Sequence, residues 1–365
     1  MPGGSPGPFW ARAPRRPRRP RAGAGLAAGG PAPVDAVRWF LVRAAAAATA
    51  IVVMVTIGGF LLSRQASGPA APSAKSTGND GLWMGHAWLD GARSQADITA
   101  LAAHIRSSGI SDVYVQAGQL DGAGRLAPAQ YAGARAFLAS FRAALPHVRV
   151  CAWLGANVGR GQLNLDDAAT RRTIVASAAA ALHAGFAGIS YNLVPVTSGD
   201  GGLLSLLDAT RALHPAVLSV TAPKIEPLSG MELPASLILR RPAFWTTGYL
   251  AQVASRVSQV AVLSYDTGMP FPSWYSGYVA RETALALRTV PPGTGLVMGV
   301  PAFAGSTLGH HGSAETVTAA IHGIRVALTA SHQRPAQVGV GLYTADTATA
   351  SDWSSYQAGW LRPSG

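Results

Sequence analysis

The chain has 365 residues, and the 48% that are hydrophobic supply enough apolar material for one large domain or two ordinary ones, which excludes a disordered protein. The formal net charge of +12 is uneven, because nine arginines precede residue 65 whereas from Asp80 onward nineteen basic residues face sixteen acidic ones. A basic nucleic-acid-binding face on the folded part is therefore not expected.

The N-terminal part predicts a membrane anchor. Residues 1–38 are rich in proline, glycine and arginine and predict a disordered basic tail in the cytoplasm. The run from Ala44 to Leu62 holds 19 uncharged residues, enough to cross a bilayer of roughly 30 Å at about 1.5 Å per residue. We therefore predict a single transmembrane helix at 39–63. The arginines before it place the N-terminus in the cytoplasm and the remainder outside.

A cleaved signal peptide is the alternative to this uncleaved signal-anchor, but the apolar run is longer than the roughly 7–15 residues usual in signal peptides. Residues 64–79, rich in serine, alanine and proline, predict a flexible linker. The single cysteine, Cys151, excludes an intrachain disulfide and is expected to be a buried core residue.

From residue 80 to about 362, short apolar or β-branched runs alternate eight times with alanine-rich and leucine-rich helical segments. Eight such units in about 280 residues are typical of an α/β fold of the (β/α)8 TIM-barrel type. A doubly wound open sheet is the alternative, although no glycine fingerprint for a dinucleotide follows any strand. The predicted strands are Leu82–Leu89, Ser111–Gly118, Arg149–Ala156, Gly188–Pro195, Leu218–Pro223, Gln259–Asp266, Leu296–Phe303 and Val338–Tyr343.

In such barrels the functional residues lie at the C-terminal ends of the strands. This rule selects a set that is rich in tryptophan and tyrosine, whose faces can cover the apolar C–H face of a sugar ring. The expected substrate-binding residues are Trp88, Gln116, Trp153, Tyr191, Asn192, Tyr265, Asp266 and Tyr343.

Two short motifs then carry a family resemblance. The segment AGISYNLV, Ala187 to Val194, resembles strand four of glycoside hydrolase family 18, the chitinase-like barrels, whose pattern is D-G-x-D-x-D-x-E. The segment LSYD, Leu263 to Asp266, is similar to the M-x-Y-D motif of strand six in that family. The resemblance implies a barrel that binds N-acetylglucosamine-type or cell-wall glycans. The run APKIEPL, Ala222 to Leu228, followed by SYDTGMP, Ser264 to Pro270, resembles a bacterial, membrane-anchored subgroup of these barrels.

The departure from the family pattern matters as much as the match. In the family, the final glutamate protonates the leaving oxygen, and the aspartate before it orients the N-acetyl group of the substrate. The acidic positions are here Ala187, Ser190, Asn192 and Val194. Because valine cannot donate a proton, we expect a loss of about 10²–10⁴-fold in rate or more. The predicted protein is a degenerate hydrolase, or pseudoenzyme, that keeps its binding cleft.

Another pair of acids can be weighed as a replacement. Glu226 and Asp266 follow adjacent strands, so they could stand about 5–5.5 Å apart, as in a retaining glycosidase. Lys224 favours the alternative that one of these acids only forms an ion pair. His310 and His311 are adjacent but have no further ligands at metal-binding spacing, so neither a metal nor another cofactor is predicted.

Three functions remain open from the sequence. The preferred one is a membrane-anchored, extracytoplasmic barrel that binds a glycan without cleaving it. The alternatives are an active glycoside hydrolase that uses Glu226 and Asp266, and a non-enzymatic scaffold for proteins of the cell envelope. The expected partners are thus an oligosaccharide and the cell membrane, and no nucleic acid.

Overall fold

The computed structural model describes residues 33–227, 244–307, 309–331 and 337–363, without the side chains at 33–36, 47–48, 50–52 and 54–55. The chain divides into two compact units between Val55 and Thr56. The predicted basic tail, 1–38, lies almost entirely outside the described residues.

Eight parallel strands form a closed barrel, because β1 pairs with β2 on one side and with β8 on the other. Closure confirms the (β/α)8 prediction and excludes the open doubly wound sheet. The strands are β1 (Asp80–Met84), β2 (Ile110–Gln119), β3 (Arg149–Asn157), β4 (Gly188–Val194), β5 (Val217–Ala222), β6 (Gln259–Leu263), β7 (Gly295–Pro301) and β8 (Val338–Tyr343).

One long helix precedes the barrel, and the helices after the strands form its outer layer. The described helices are α1 (Pro33–Gln65), α2 (Gln95–Arg106), α3 (Ala134–Ala144), α4 (Ala168–Ala184), α5 (Gly201–Arg211), α6 (Thr247–Ala254), α7 (Pro272–Thr289), α8 (Val317–Ala330) and α9 (Ala350–Tyr356). A short antiparallel hairpin, Ser306–Thr307 with His310–His311, lies between β7 and α8.

Side chains fill the barrel interior. Alternation along each strand sends one set inward, where Trp83, Tyr114 and Cys151 pack with residues of the opposite strands. Strands β7 and β8 make room with small residues, since a Cβ at Gly341 would overlap the ring of Trp83. Cys151 is fully buried there, as predicted, and burial raises the pKa of its thiol well above the ordinary range.

The first strand ends earlier than predicted, at Met84 rather than Leu89. Residues His86–Trp88 instead form a short 3₁₀ turn. The carboxylate of Asp346, which follows β8, accepts hydrogen bonds from the Gly85 amide and from Nε1 of Trp88, at 2.6 and 2.9 Å. This long-range contact turns the chain away from the sheet, and local sequence does not reveal it.

Helix α1 is 33 residues long and includes the predicted span, 39–63. Among the residues that the structure describes in full, no helix combines the length and the apolar character that crossing a membrane requires.

The end of α1 and part of the predicted linker, both in the second unit, lie against α7 and α8. The close approach of the end of α1 to α7 depends on Gly277, because a Cβ at this position would overlap the carbonyl group of Leu62. Beyond the helix, Nε of Arg325 donates to the carbonyl oxygen of Ala74 at 2.9 Å, and the Ala71 amide donates to the hydroxyl of Thr329 at 2.8 Å. The segment 66–74 is therefore held by α8 through its backbone.

Asp80 joins the start of the barrel to the C-terminal helical segment. It is fully buried, and its carboxylate accepts hydrogen bonds from the hydroxyls of Ser76 and Tyr356, from the indole of Trp360 and from the Val340 amide, at 2.6–2.8 Å. Burial raises the pKa of Asp80, and the four hydrogen bonds oppose that rise.

Asp80→Asn is expected to lower the free energy of unfolding by about 1–3 kcal/mol, because the NH₂ group cannot accept the hydrogen bonds that the hydroxyls of Ser76 and Tyr356 donate to Oδ2, and the charge-assisted bonds to all four donors are lost. Urea unfolding followed by circular dichroism measures this change. Asp166→Asn, at an exposed site, serves as the matched control and should change stability by less than about 0.5 kcal/mol. Equal effects of the two substitutions would contradict the assigned role of Asp80.

Candidate functional site

A cavity of about 1070 Å³ opens at the C-terminal ends of β4 to β8. Its lining combines apolar and aromatic residues with a similar number of polar ones. The lining residues are Asn192, Val194, Pro195, Val196, Thr221, Pro223, Lys224, Phe244, Leu263, Tyr265, Asp266, Thr267, Gly268, Phe303, Gly305, Thr307, Gly309, His310, Tyr343, Thr344 and Thr347.

The side chains of β4 decide what the cavity offers. Asn192 and Val194 line it, and Ser190 is buried deeper in the barrel. Ala187 precedes the strand, at the opposite end of the barrel, where its backbone pairs with Val150 and Ala216. Val194 thus faces the cavity at the position where the family pattern has its acid.

Tyr191 does not contribute to the cavity, contrary to the sequence-based expectation. It is fully buried on the helix side of β4, and its hydroxyl lies 2.9 Å from Oγ1 of Thr210 in α5. The physical reason is the two-residue period of a strand, which sends Tyr191 and Asn192 to opposite faces.

Three more of the expected binding residues lie outside the lining of this cavity. Trp88 is buried against Phe137 and donates to Asp346. Gln116 lies on β2, where its carbonyl oxygen is 3.2 Å from Nδ1 of His86. Trp153 is buried in the barrel interior with its ring 6.1 Å from that of Tyr343. These residues fill the side of the barrel formed by β1 to β3.

An aromatic wall forms one side of the cavity. The rings of Tyr265 and Tyr343 stack at 5.0 Å with 26° between their planes, and Phe303 meets Tyr265 edge to face at 5.8 Å. Burial raises the pKa of Tyr343, and the charge of Asp266 adds a smaller rise. Burial also raises the pKa of Tyr265 well above its ordinary value. Both phenols therefore stay neutral; Tyr343 is half-buried, whereas Tyr265 is buried, with 6% of its surface exposed.

Polar atoms without protein partners lie in and below the floor of the cavity. Among the described residues, Oδ1 of Asn192, Oγ1 of Thr221 and the hydroxyl oxygens of Ser190 and Ser219 are buried and have no hydrogen-bond partner in the protein. Because such groups are costly to bury unpaired, they favour a ligand or water that bonds to them. The sequence predicted only Asn192 of this set as a binding residue.

Asp266 lies in a cluster that the sequence did not predict. Its Oδ1 is 3.3 Å from Nδ1 of His310, and the same nitrogen is 3.2 Å from Oε2 of the buried Glu315. The ring of His310 packs against Phe303 with centroids 4.4 Å apart. The two histidines that the sequence presents as neighbours therefore have different surroundings, since only His310 joins these acids.

The other predicted acid is not part of this arrangement. Glu226 is half-buried, its amide donates to the carbonyl of Trp245, and its side chain is not among those that line the cavity. Lys224 does line the cavity, and its charge acts on Glu282 in α7, which is fully buried. Oε1 of Glu282 accepts hydrogen bonds from the Ile225 amide at 2.9 Å and from the hydroxyl of Tyr278 at 3.2 Å.

Glu282 and Glu315 are the acids near this site that sequence reasoning missed. A signal for Glu282 exists, because it shares a helix face with buried Tyr275, Tyr278 and Val279 at spacings of seven, four and three residues. An acid within an apolar stripe indicates a buried, paired group. Glu315 has no comparable signal, since it stands in a loop directly before the N-cap residue Thr316.

Comparison with known proteins gives the fold. No family model matches the sequence, and no curated protein matches it. Solved structures do match in shape. The spore cortex-lytic enzyme SleL of Bacillus megaterium QM B1551 superposes with a TM-score of 0.55 at 10% identity over 80% of this chain and 76% of that one. A class V chitinase from Pseudomonas fluorescens Pf-5 gives 0.52 at 14% identity, over 77% and 98%.

The fold is that of the chitinase-like barrels. SleL of Bacillus cereus adds a third match, with a TM-score of 0.53 at 12% identity over 79% of this chain and 75% of that one. The resemblance to glycoside hydrolase family 18 that the two motifs indicate is thus confirmed at the level of fold. At these identities the likeness extends to the fold alone.

Stability is expected to depend on pH through Glu282. Burial raises the pKa of Glu282 to about 7 from an ordinary 4.5, while the Ile225 amide and Lys224 act in the opposite direction. Between these two values the folded chain binds more protons than the unfolded chain. The free energy of unfolding therefore falls as pH rises from 4.5 to 7, by an amount on the order of 3 kcal/mol, and levels off above 7.

Urea unfolding of the wild type and of Glu282→Gln across pH 4.5–8 measures this contribution. The glutamine oxygen can accept the same two hydrogen bonds but carries no charge, so the variant should lack this part of the pH dependence. Parallel profiles for the two proteins would show that Glu282 does not titrate in this range.

Proposed function

We propose that this protein is a membrane-anchored barrel that binds a glycan of the N-acetylglucosamine or cell-wall type and does not hydrolyse it. The observation that carries the proposal is the side chain of Val194, which lines the cavity at the position of the general acid. Among the described residues that line the cavity, Asp266 is the only carboxylic acid.

The lining supports a carbohydrate ligand. Stacked Tyr265 and Tyr343 offer an aromatic surface of the kind that covers sugar rings, and Asn192 and Thr221 supply buried polar atoms for hydroxyl or acetamido groups. The solved structures of similar fold are named as a spore cortex-lytic enzyme and a chitinase, and these names motivate the choice of cell-wall and N-acetylglucosamine glycans.

The geometry does not favour an active hydrolase that uses Glu226 and Asp266. Glu226 is not among the lining residues, and Asp266 lies 3.3 Å from the imidazole of His310. A carboxylate that accepts a hydrogen bond from an imidazole is stabilised in its charged form and is then a poor proton donor. No feature of the described residues favours the third alternative, a scaffold for cell-envelope proteins.

The location of the protein is part of the proposal and rests on the sequence. The uncharged run from Ala44 to Leu62, with arginines before it, supports a single-pass anchor with a cytoplasmic N-terminus and an extracytoplasmic barrel. An outward-facing barrel would meet the glycans of the cell envelope.

Tyr265→Ala and Tyr343→Ala are expected to weaken binding of N-acetylglucosamine oligomers or cell-wall fragments about tenfold each, because an aromatic face contributes on the order of 1.4 kcal/mol. Isothermal titration calorimetry measures this change. Tyr191→Phe is the control, because it removes one hydroxyl on the helix side and should leave affinity unchanged. Absence of heat across a glycan panel with the wild type would rule the proposal out.

Restoring the acids tests the loss of catalysis. Val194→Glu combined with Asn192→Asp is expected to hydrolyse an aryl N-acetylglucosaminide at least about 10²-fold faster than the wild type, since a positioned general acid contributes 10²–10⁴-fold. The matched control is Val194→Gln with Asn192→Asp, which has the same shape without the proton donor. Cleavage by the wild type at the rate of the restored variant would show that the site is not degenerate.

A further inference from the structure

We propose that Asp266, His310 and Glu315 form a binding site for a divalent cation at the edge of the cavity. One ligand atom from each residue lies within 4.8 Å of the other two, and Nδ1 of His310 is 3.3 Å from Asp266 and 3.2 Å from Glu315. A cation between atoms at these separations would be about 2–2.5 Å from each, which is the range of bonds from Zn²⁺ or Ca²⁺ to protein ligands.

Three separate segments bring the ligands together. Asp266 follows β6 with a φ of 56°, a left-handed conformation that is uncommon for residues other than glycine. His310 comes from the hairpin after β7, and Glu315 directly precedes the N-cap of α8. Two acids and one imidazole are a ligand set suited to Zn²⁺ or Mn²⁺, because histidine selects for transition metals.

Glu315 is oriented as a metal-binding carboxylate usually is. Its Oε1 accepts hydrogen bonds from the amides of Gly268 and His311 at 3.0 and 3.4 Å, and the Thr267 amide donates to both oxygens, at 3.2 Å to Oε1 and 3.1 Å to Oε2. These amides fix the orientation of the carboxylate, and Oε2 is the oxygen that lies 3.2 Å from Nδ1 of His310. Such supporting hydrogen bonds are typical of carboxylate ligands.

The two acids share one nitrogen of His310. Nδ1 of His310 carries at most one proton, and it lies 3.3 and 3.2 Å from a carboxylate oxygen on either side. A divalent cation in the same place would interact favourably with both carboxylates at once.

A second observation comes from α7. Tyr275 is fully buried, and its hydroxyl has no hydrogen-bond partner among the described residues. Burial raises the pKa of Tyr275 well above the ordinary range, and the charges of Glu315, Glu282 and Asp266 add to this rise. A buried hydroxyl without a protein partner favours a bound water molecule or ligand that bonds to it.

The site would be open toward the cavity, because Asp266 and His310 line it. Three protein ligands leave coordination positions for water or for oxygen atoms of a ligand. This inference does not depend on the proposed glycan function, because a titration with metal alone detects the site.

The experiment is a titration of the purified full chain with ZnCl₂ and, separately, with MnCl₂ and CaCl₂ at pH 7, followed by calorimetry and by metal analysis after dialysis. One equivalent of a transition metal should bind to the wild type, and the melting temperature should rise. Asp266→Asn and Glu315→Gln should each weaken binding by at least about 10–100-fold, the loss typical even of residues that only support a metal ligand.

The variants are chosen to keep the fold. Asparagine at position 266 tolerates the left-handed backbone of Asp266. The side-chain oxygen of glutamine at position 315 can accept hydrogen bonds from the loop amides that bond to Glu315. His311→Gln is the control, because the side chain of His311 lies outside the cluster, and it should bind the metal as the wild type does. Lack of stoichiometric metal binding, or equal binding by Asp266→Asn and the wild type, would overturn the proposal. His310 would then be a histidine that only forms hydrogen bonds.

Discussion

The register of β4 is the constraint on which the functional interpretation depends. In this strand Ser190 pairs with Trp153 of β3 and Ser219 of β5, and this pairing fixes which side chains face the interior. Because a strand has a period of two residues, Asn192 and Val194 must then face the same way as Ser190. A shift by one residue would bring Tyr191 into the cavity and bury Val194 against the helices. The exposure of the Val194 side chain to the cavity is thus a consequence of the backbone pairing of β4.

The N-terminal end of the barrel contains the buried polar contacts that support closure, and the C-terminal end contains the cavity. At the N-terminal end, Asp112 binds Arg149 with two hydrogen bonds of 2.7 and 2.9 Å and also accepts one from Gln259. Asp80 closes the same end with four donors. These buried polar groups join strands that are far apart in sequence, so they support closure of the sheet. Substitutions at the C-terminal end can therefore change the chemistry of the cavity without loss of the fold.

Sequence alone predicted the eight strands, because short apolar runs, most of them with β-branched residues, alternate with helical segments. It also predicted that Asn192, Tyr265, Asp266 and Tyr343 line the cavity. It failed for Tyr191, because the rule about strand ends ignores the direction of a side chain. Trp88 and Trp153 were predicted to bind substrate but are buried in the core. Residue type alone does not separate these roles, since tryptophan can fill space in a core or stack on a sugar. The cluster of His310 and Glu315 depends on loop geometry, which residue spacing does not encode.

The asymmetry of the barrel mouth limits what chemistry the protein can perform. On the side of β1 to β3, Trp88 and Trp153 are buried, whereas the large cavity lies on the side of β4 to β8. There the aromatic wall and the polar floor face the same space. The one acid that the described lining supplies is next to an imidazole and a second carboxylate, an environment that keeps it an acceptor or a metal ligand. Hydrolysis of a glycoside needs a proton at the bridging oxygen of the sugar, and among the described residues that line the cavity only Asp266 carries a carboxyl group.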